Sequence, residues 1–82
     1  MAYNDEELQV LREFGRRVRL ARDAQGWTQE DLAAETGLDR TYVGSIERGE
    51  RNLALLNINR LALALGESFD GFLPWRPKRR RK

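Results

Sequence analysis

The sequence predicts an all-α domain of five short helices with no strand. Three observations carry that prediction. Apolar residues recur at three- and four-residue spacing, as on one face of a helix. Thr28, Asp39 and Ser68, residue types that favour helix starts, each stand just before a short apolar pattern. Gly26, Gly37 and Gly66 stand where those patterns stop, the usual place for a helix C-cap.

The first helix is expected over about residues 5–25. Leu11, Phe14, Val18 and Ala21 form its apolar stripe, and Asp5, Glu6 and Glu7 suit the positive end of its dipole. Trp27 is expected to fold back on the core. Thr28 with Asp31 makes a capping-box pattern that opens a second helix over 29–36, with Leu32 and Ala33 inward. Gly37 can take the positive φ of a sharp turn. Asp39 then caps a third helix over 39–48, with Val43 and Ile46 inward. A fourth helix over 55–65 carries Leu55, Ile58, Leu61, Ala62 and Leu65 on its core face. Leu56 and Leu63 fall on nearly the opposite side, either singly exposed or part of a second buried face. Ala54 makes a weak helix start. Ser68 caps a last helix over 69–73 bearing Phe69, Phe72 and Leu73.

Composition narrows the function classes. Eighty-two residues make one small domain, whose modest core a partner subunit would support. The absence of Cys and His removes disulfides, thiol nucleophiles, imidazole bases and the common zinc sites. No phosphate-cradling glycine loop and no carboxylate set on a pocket-forming scaffold is present. We therefore expect no catalytic residue, no metal and no cofactor. No apolar run approaches the ~18 residues of a membrane span. The acidic start MAYNDEELQV lacks the apolar region of a signal peptide, so the expected location is cytoplasmic, with no membrane partner.

The net charge of +2 is unevenly placed. Nine arginines against thirteen acids leave residues 1–75 at −4, while Arg76, Lys78, Arg79, Arg80, Arg81 and Lys82 give the tail +6. Overall charge is thus poor evidence for a nucleic-acid partner, and placement must decide. Residues 1–75 are read as the folded domain and 76–82 as a disordered basic tail. Pro74 and Pro77 stop the last helix, and the tail could lie along phosphates, bind RNA or anionic lipid weakly, or only solubilise.

Two short helices joined at Gly37 make a helix-turn-helix, whose use is to hold one helix outward. The outward side of the third helix carries Arg40, Thr41, Gly44 and Ser45, a polar face that can enter a major groove. Gln29 to Arg48 resembles the twenty-residue helix-turn-helix of phage repressors and xenobiotic-response-element-type regulators. Leu32, Ala33, Gly37, Leu38, Val43 and Ile46 match that pattern. "TQEDLA" followed by "LDRTYVGSIERGERN" is most similar to controller proteins of restriction–modification systems. The resemblance covers about residues 10–73 and implies a compact, five-helix, lambda-repressor-like DNA-binding domain.

It also implies roles. Arg40 and Thr41 would be the main base readers, with Ser45 and Arg51 adding contacts. Gln29, at a helix N-terminus that attracts phosphate, would set the backbone register with Tyr42, Asn52 and Arg48. Each has a plainer rival, a solvated surface side chain; Glu47, Arg48 and Glu50 in particular read as a salt-bridged surface. Gly44 weakens its helix by about 1 kcal/mol relative to Ala, which close approach to DNA would explain. Arg16, Arg17, Arg19 and Arg22 read as solvating the first helix.

Relatives of this kind pair through the C-terminal region. Phe69, Phe72, Leu73 and Leu63 are the expected homodimer surface, with one of the two phenylalanines in the core and Trp75 at the edge. A twofold dimer would set two reading helices ~34 Å apart on a palindromic duplex. The expected function is a sequence-specific transcriptional regulator that binds an operator as a homodimer and acts through the operator's position relative to RNA polymerase. An antitoxin or phage-type repressor is the nearest alternative. A helical module binding protein or RNA is the alternative of another class.

Overall fold

A computed structural model of the chain describes residues 2–73. The readings of Pro74, Trp75 and the basic run 76–82 lie outside the described residues. Five helices follow in order: α1 (Asp5–Ala24), α2 (Gln29–Thr36), α3 (Arg40–Glu47), α4 (Leu55–Leu65) and α5 (Phe69–Phe72). All lie within a residue or two of the expected spans.

Local chemistry explains the boundaries. Asn4 caps α1 reciprocally: its side chain accepts from the Glu7 N–H at 2.8 Å, and Glu7 accepts from the Asn4 N–H at 2.9 Å. Thr28 and Asp31 form the same box at the start of α2. Asp39 accepts from the Thr41 N–H at 2.9 Å and opens α3. Gly37, at φ 76°, turns the chain between α2 and α3 in a conformation that side chains with a Cβ resist. Ala54 offers no side-chain cap to α4.

The core gathers Phe14 and Val18 of α1, Leu32 and Ala33 of α2, Val43 and Ile46 of α3, Leu61, Ala62 and Leu65 of α4, and Phe72 of α5. Trp27, Leu38 and Ile58 pack against it half-buried. Phe14 and Phe72 meet edge to face with ring centres 5.3 Å apart, a favoured aromatic geometry. Arg17 donates to the Leu73 carbonyl at 2.6 Å and ties the end of the described chain to α1. Helix α3, inserted between α1 and α2, is the central element.

Two expectations about α4 and α5 are corrected. Leu55 was assigned to the core face but is 66% exposed, because it lies in the first, uncapped turn of α4, short of the core. Phe72 was named among the pairing residues, with either it or Phe69 expected in the core; it is the core residue, 2% exposed, because its ring closes the monomer core against Phe14. Leu56 and Leu63 are exposed, at 68% and 72%, Leu63 singly and Leu56 beside Leu55.

Candidate nucleic-acid interface

The interface is built on α3 and the loop that follows it. Asp39 spends its carboxylate on the first N–H groups of α3, which leaves Arg40 and Thr41 exposed on the helix's first turn. Among the described residues Arg40 forms one ion pair, with Glu30 at 3.9 Å, and both side chains are mostly in solvent. An exposed pair at that distance contributes little, so the guanidinium is available to a ligand.

The rest of the expected outward face is different. Gly44 and Ser45 are buried, not exposed. Gly44 lies beneath Gln29 and Arg48: a Cβ there would stand 3.3 Å from Gln29 Oε1 and from Arg48 Nη1. Close approach at Gly44 is therefore made by the chain's own side chains. Ser45 is 4% exposed and cannot present its hydroxyl to a base edge. It donates to the Tyr42 carbonyl at 2.7 Å and accepts from Arg51 Nε at 2.9 Å. The physical reason is the depth of α3, whose residues Val43 to Ile46 are all covered by neighbouring elements.

Around this narrower helix face stand the other expected contacts. Arg51 follows α3 in the loop, exposed, with its guanidinium carbon 5.5 Å from the centre of the half-buried Tyr42 ring. Asn57 approaches the Tyr42 hydroxyl at 3.5 Å from α4. Arg48 is exposed and held by Glu50, with Nε to Oε2 at 3.0 Å; that bond raises the Arg48 pKa and lowers that of Glu50. Asn52 is exposed on the same loop, beside Val10 and Leu11 of α1.

Gln29 is half-buried at the first position of α2, and its amide donates to Glu47 Oε1 at 3.0 Å. Glu47 belongs to no surface network. Its side chain is 4% exposed and receives Arg22 at two points, Nε to Oε2 at 2.7 Å and Nη2 to Oε1 at 3.0 Å. Arg22, 12% exposed, also donates to the Trp27 carbonyl at 2.7 Å. The bonds from Glu47 raise its pKa further. One arginine of α1 thus fixes the loop before α2 and the end of α3, and through Glu47 it fixes Gln29. Sequence reading missed this pair, taking both as solvated charges. A signal existed: Glu47 stands four residues after Val43, on the inward stripe of α3.

The expected pairing surface divides. Phe69 is half-buried and lines an open apolar depression with Leu55, Leu56 and Asn59. Leu73 is half-buried against the core. Leu63 lies apart, beside Glu35, Thr36, Arg60 and Ala64. Among the described residues no group of His, Cys, Asp or Glu is placed to hold a metal, and no helix is long and apolar enough to cross a membrane.

A capped helix, a glycine turn and a second helix with its start exposed define a helix-turn-helix protein. The family profile HTH_3, helix-turn-helix, matches residues 18–72, and the chain belongs to that family. The described domain is that of a DNA-binding transcription regulator.

Its resemblances are more particular. The crystal structure of the restriction–modification controller protein C.AhdI from Aeromonas hydrophila superposes with a TM-score of 0.74 at 49% identity, over 77% of this chain and 96% of that one. The controller protein C.Esp1396I, solved as a tetramer in complex with its natural 35 base-pair operator, superposes with a TM-score of 0.70 at 36% identity, over 77% and 83%. A hypothetical transcription factor from Neisseria meningitidis is 55% identical over 49 residues, 60% of this chain and 46% of that protein. The chain thus spans about half the length of that relative.

Proposed function

We propose that the chain binds a palindromic operator as a homodimer and regulates transcription there, as the controller protein of a restriction–modification system. The observation that carries this reading is the exposed pair Arg40 and Thr41 on the first turn of α3, flanked by Arg51, on a frame that leaves them unengaged. Arg40 and Thr41 enter the major groove and read base edges. Gln29, Tyr42, Arg48 and Asn52 line the sugar–phosphate chain and fix the register. Operator-bound C.Esp1396I supports the mode of action.

Pairing uses the apolar depression of Leu55, Leu56 and Phe69, which a second copy would cover. A twofold dimer presents two α3 helices about one helical turn of DNA apart, ~34 Å. Occupancy of the operator then helps or blocks RNA polymerase according to where the site lies.

Selection of bound duplexes from a random pool tests the reading. A consensus with two inverted half-sites is expected. Recovery of duplexes without any shared sequence would sink it.

A further inference from the structure

Ser45, 4% exposed, is a buried polar residue of the reading helix. A helical serine commonly donates to a carbonyl one turn back, as Ser45 does to Tyr42. Its second bond is not of that kind. Ser45 Oγ accepts from Nε of Arg51, six residues on, across the end of α3 and into the loop. The same guanidinium lies over the ring of Tyr42, whose carbonyl accepts the serine hydrogen bond. Serine hydroxyl, tyrosine ring and arginine form one closed cluster.

An arginine on a loop has many rotamers, and binding must freeze them. Here the hydroxyl and the ring already hold Arg51, while among the described residues no carboxylate forms a salt bridge with it and Glu50 feels its charge only at longer range. With Nε engaged, the edge formed by Nη1 and Nη2 remains. That edge carries two parallel N–H donors, the fork that matches O6 and N7 of a guanine.

We infer that Ser45 is a positioning residue for base readout. It touches no DNA; it presents the Nη1/Nη2 edge of Arg51 end-on to a guanine in the major groove. The inference rests on the reading that Arg51 contacts DNA. It replaces the direct contact expected of Ser45 with an indirect one.

The test uses the full chain and the duplex that the wild type selects from a random pool. In the free protein, the Nε–H resonance of Arg51 should be distinct and slow to exchange, and Ser45→Ala should merge it with those of exposed arginines. In binding, Arg51→Ala should weaken affinity roughly 10- to 100-fold and erase preference at one base pair of each half-site. Ser45→Ala should weaken it about 3- to 10-fold and relax preference at that same base pair. In the Arg51→Ala background, Ser45→Ala should add nothing.

An unchanged Nε–H resonance, or penalties that multiply in the double variant, overturns the positioning role while leaving the Arg51 contact intact. A role confined to stability would give that multiplied result together with a lowered melting temperature. Full affinity and unchanged preference in Arg51→Ala would instead remove the contact itself, and the inference with it.

Discussion

Gly15 of α1 rests directly against the carbonyl oxygen of Ile46 in α3. A Cβ at Gly15 would also stand 2.7 Å from the Glu47 carbonyl oxygen, and neither atom can yield without moving backbone. The two helices cross with nothing between them, so the depth of α3 is set by main-chain contact.

Gly15→Ala is therefore expected to destabilise the fold, although alanine favours a helix by about 1 kcal/mol. Forced separation of well-packed elements costs roughly 1–3 kcal/mol, which outweighs that gain. Gly44→Ala is the contrast, since its Cβ would meet side-chain atoms of Gln29 and Arg48 at 3.3 Å rather than backbone, and these need give by only a few tenths of an ångström, within the play of their bonds to Glu47 and Glu50. Urea denaturation should show a lower midpoint for Gly15→Ala and an equal or higher one for Gly44→Ala.

Removing Arg22 leaves the Glu47 carboxylate with little access to water, and removing Glu47 leaves the 12% exposed Arg22 with Asp23 at 3.3 Å as its remaining acid. Breaking such a buried pair costs about 3–5 kcal/mol, a large share of a small domain's stability. Arg22→Met and Glu47→Gln should each lower the thermal midpoint far more than Arg48→Met, whose pair with Glu50 is more than half exposed. Circular dichroism melts would decide; equal losses in all three would refute the ranking.

The helix limits were legible because their causes are local. Thr28, Asp39, Ser68 and Gly37 act on the residues next to them, and the structure uses each as its chemistry suggests. The exposed start of α3 was legible too, since Arg40 and Thr41 follow a cap and precede the first inward residue. What escaped was decided by distant packing. Arg22 looked solvated because nothing within a few residues of it reveals its partner on α3, and at Glu47 the charge outweighed the one local hint, its four-residue spacing from Val43. Ser45 looked outward because a small polar residue gives the helical pattern almost no weight, and only the insertion of α3 determines its side. Leu55 failed in the opposite sense: its spacing fitted the core stripe, but the stripe begins a turn later.

Acid should loosen the end of the chain. Glu13, one third exposed, holds Arg16 and Arg17, and their hydrogen bonds draw its pKa from 4.5 to about 2. A depressed folded-state value stabilises the fold above the unfolded pKa, and that contribution fades as pH falls from 4.5 toward 2. Arg17 also holds the Leu73 carbonyl. The stability difference between wild type and Glu13→Gln should be full at neutral pH and vanish near pH 2. A difference that persists unchanged across that range would contradict the assignment.

Arg40→Ala should leave folding intact, because its contact with Glu30 is long and exposed. Against the selected duplex it should lose about 1–3 kcal/mol of discrimination at one base pair per half-site. Unaltered specificity would count against direct readout.

Leu56→Glu should leave the monomer fold unchanged, since Leu56 is 68% exposed, and should place a charge in the depression beside Leu55 and Phe69. Sedimentation equilibrium should then return the 9.5 kDa of one chain, where the proposed dimer of the wild type should give twice that mass. A dimeric variant would move the pairing surface elsewhere.

The brace from Arg22 through Glu47 to Gln29 separates scaffold from vocabulary. Arg40 and Thr41 are fastened to nothing in that brace, so they can be exchanged without loosening it. If Arg40 and Thr41 read bases as proposed, new operator preferences are open to single surface substitutions, and a lineage can retarget its regulator while the machinery that aims it stays the same.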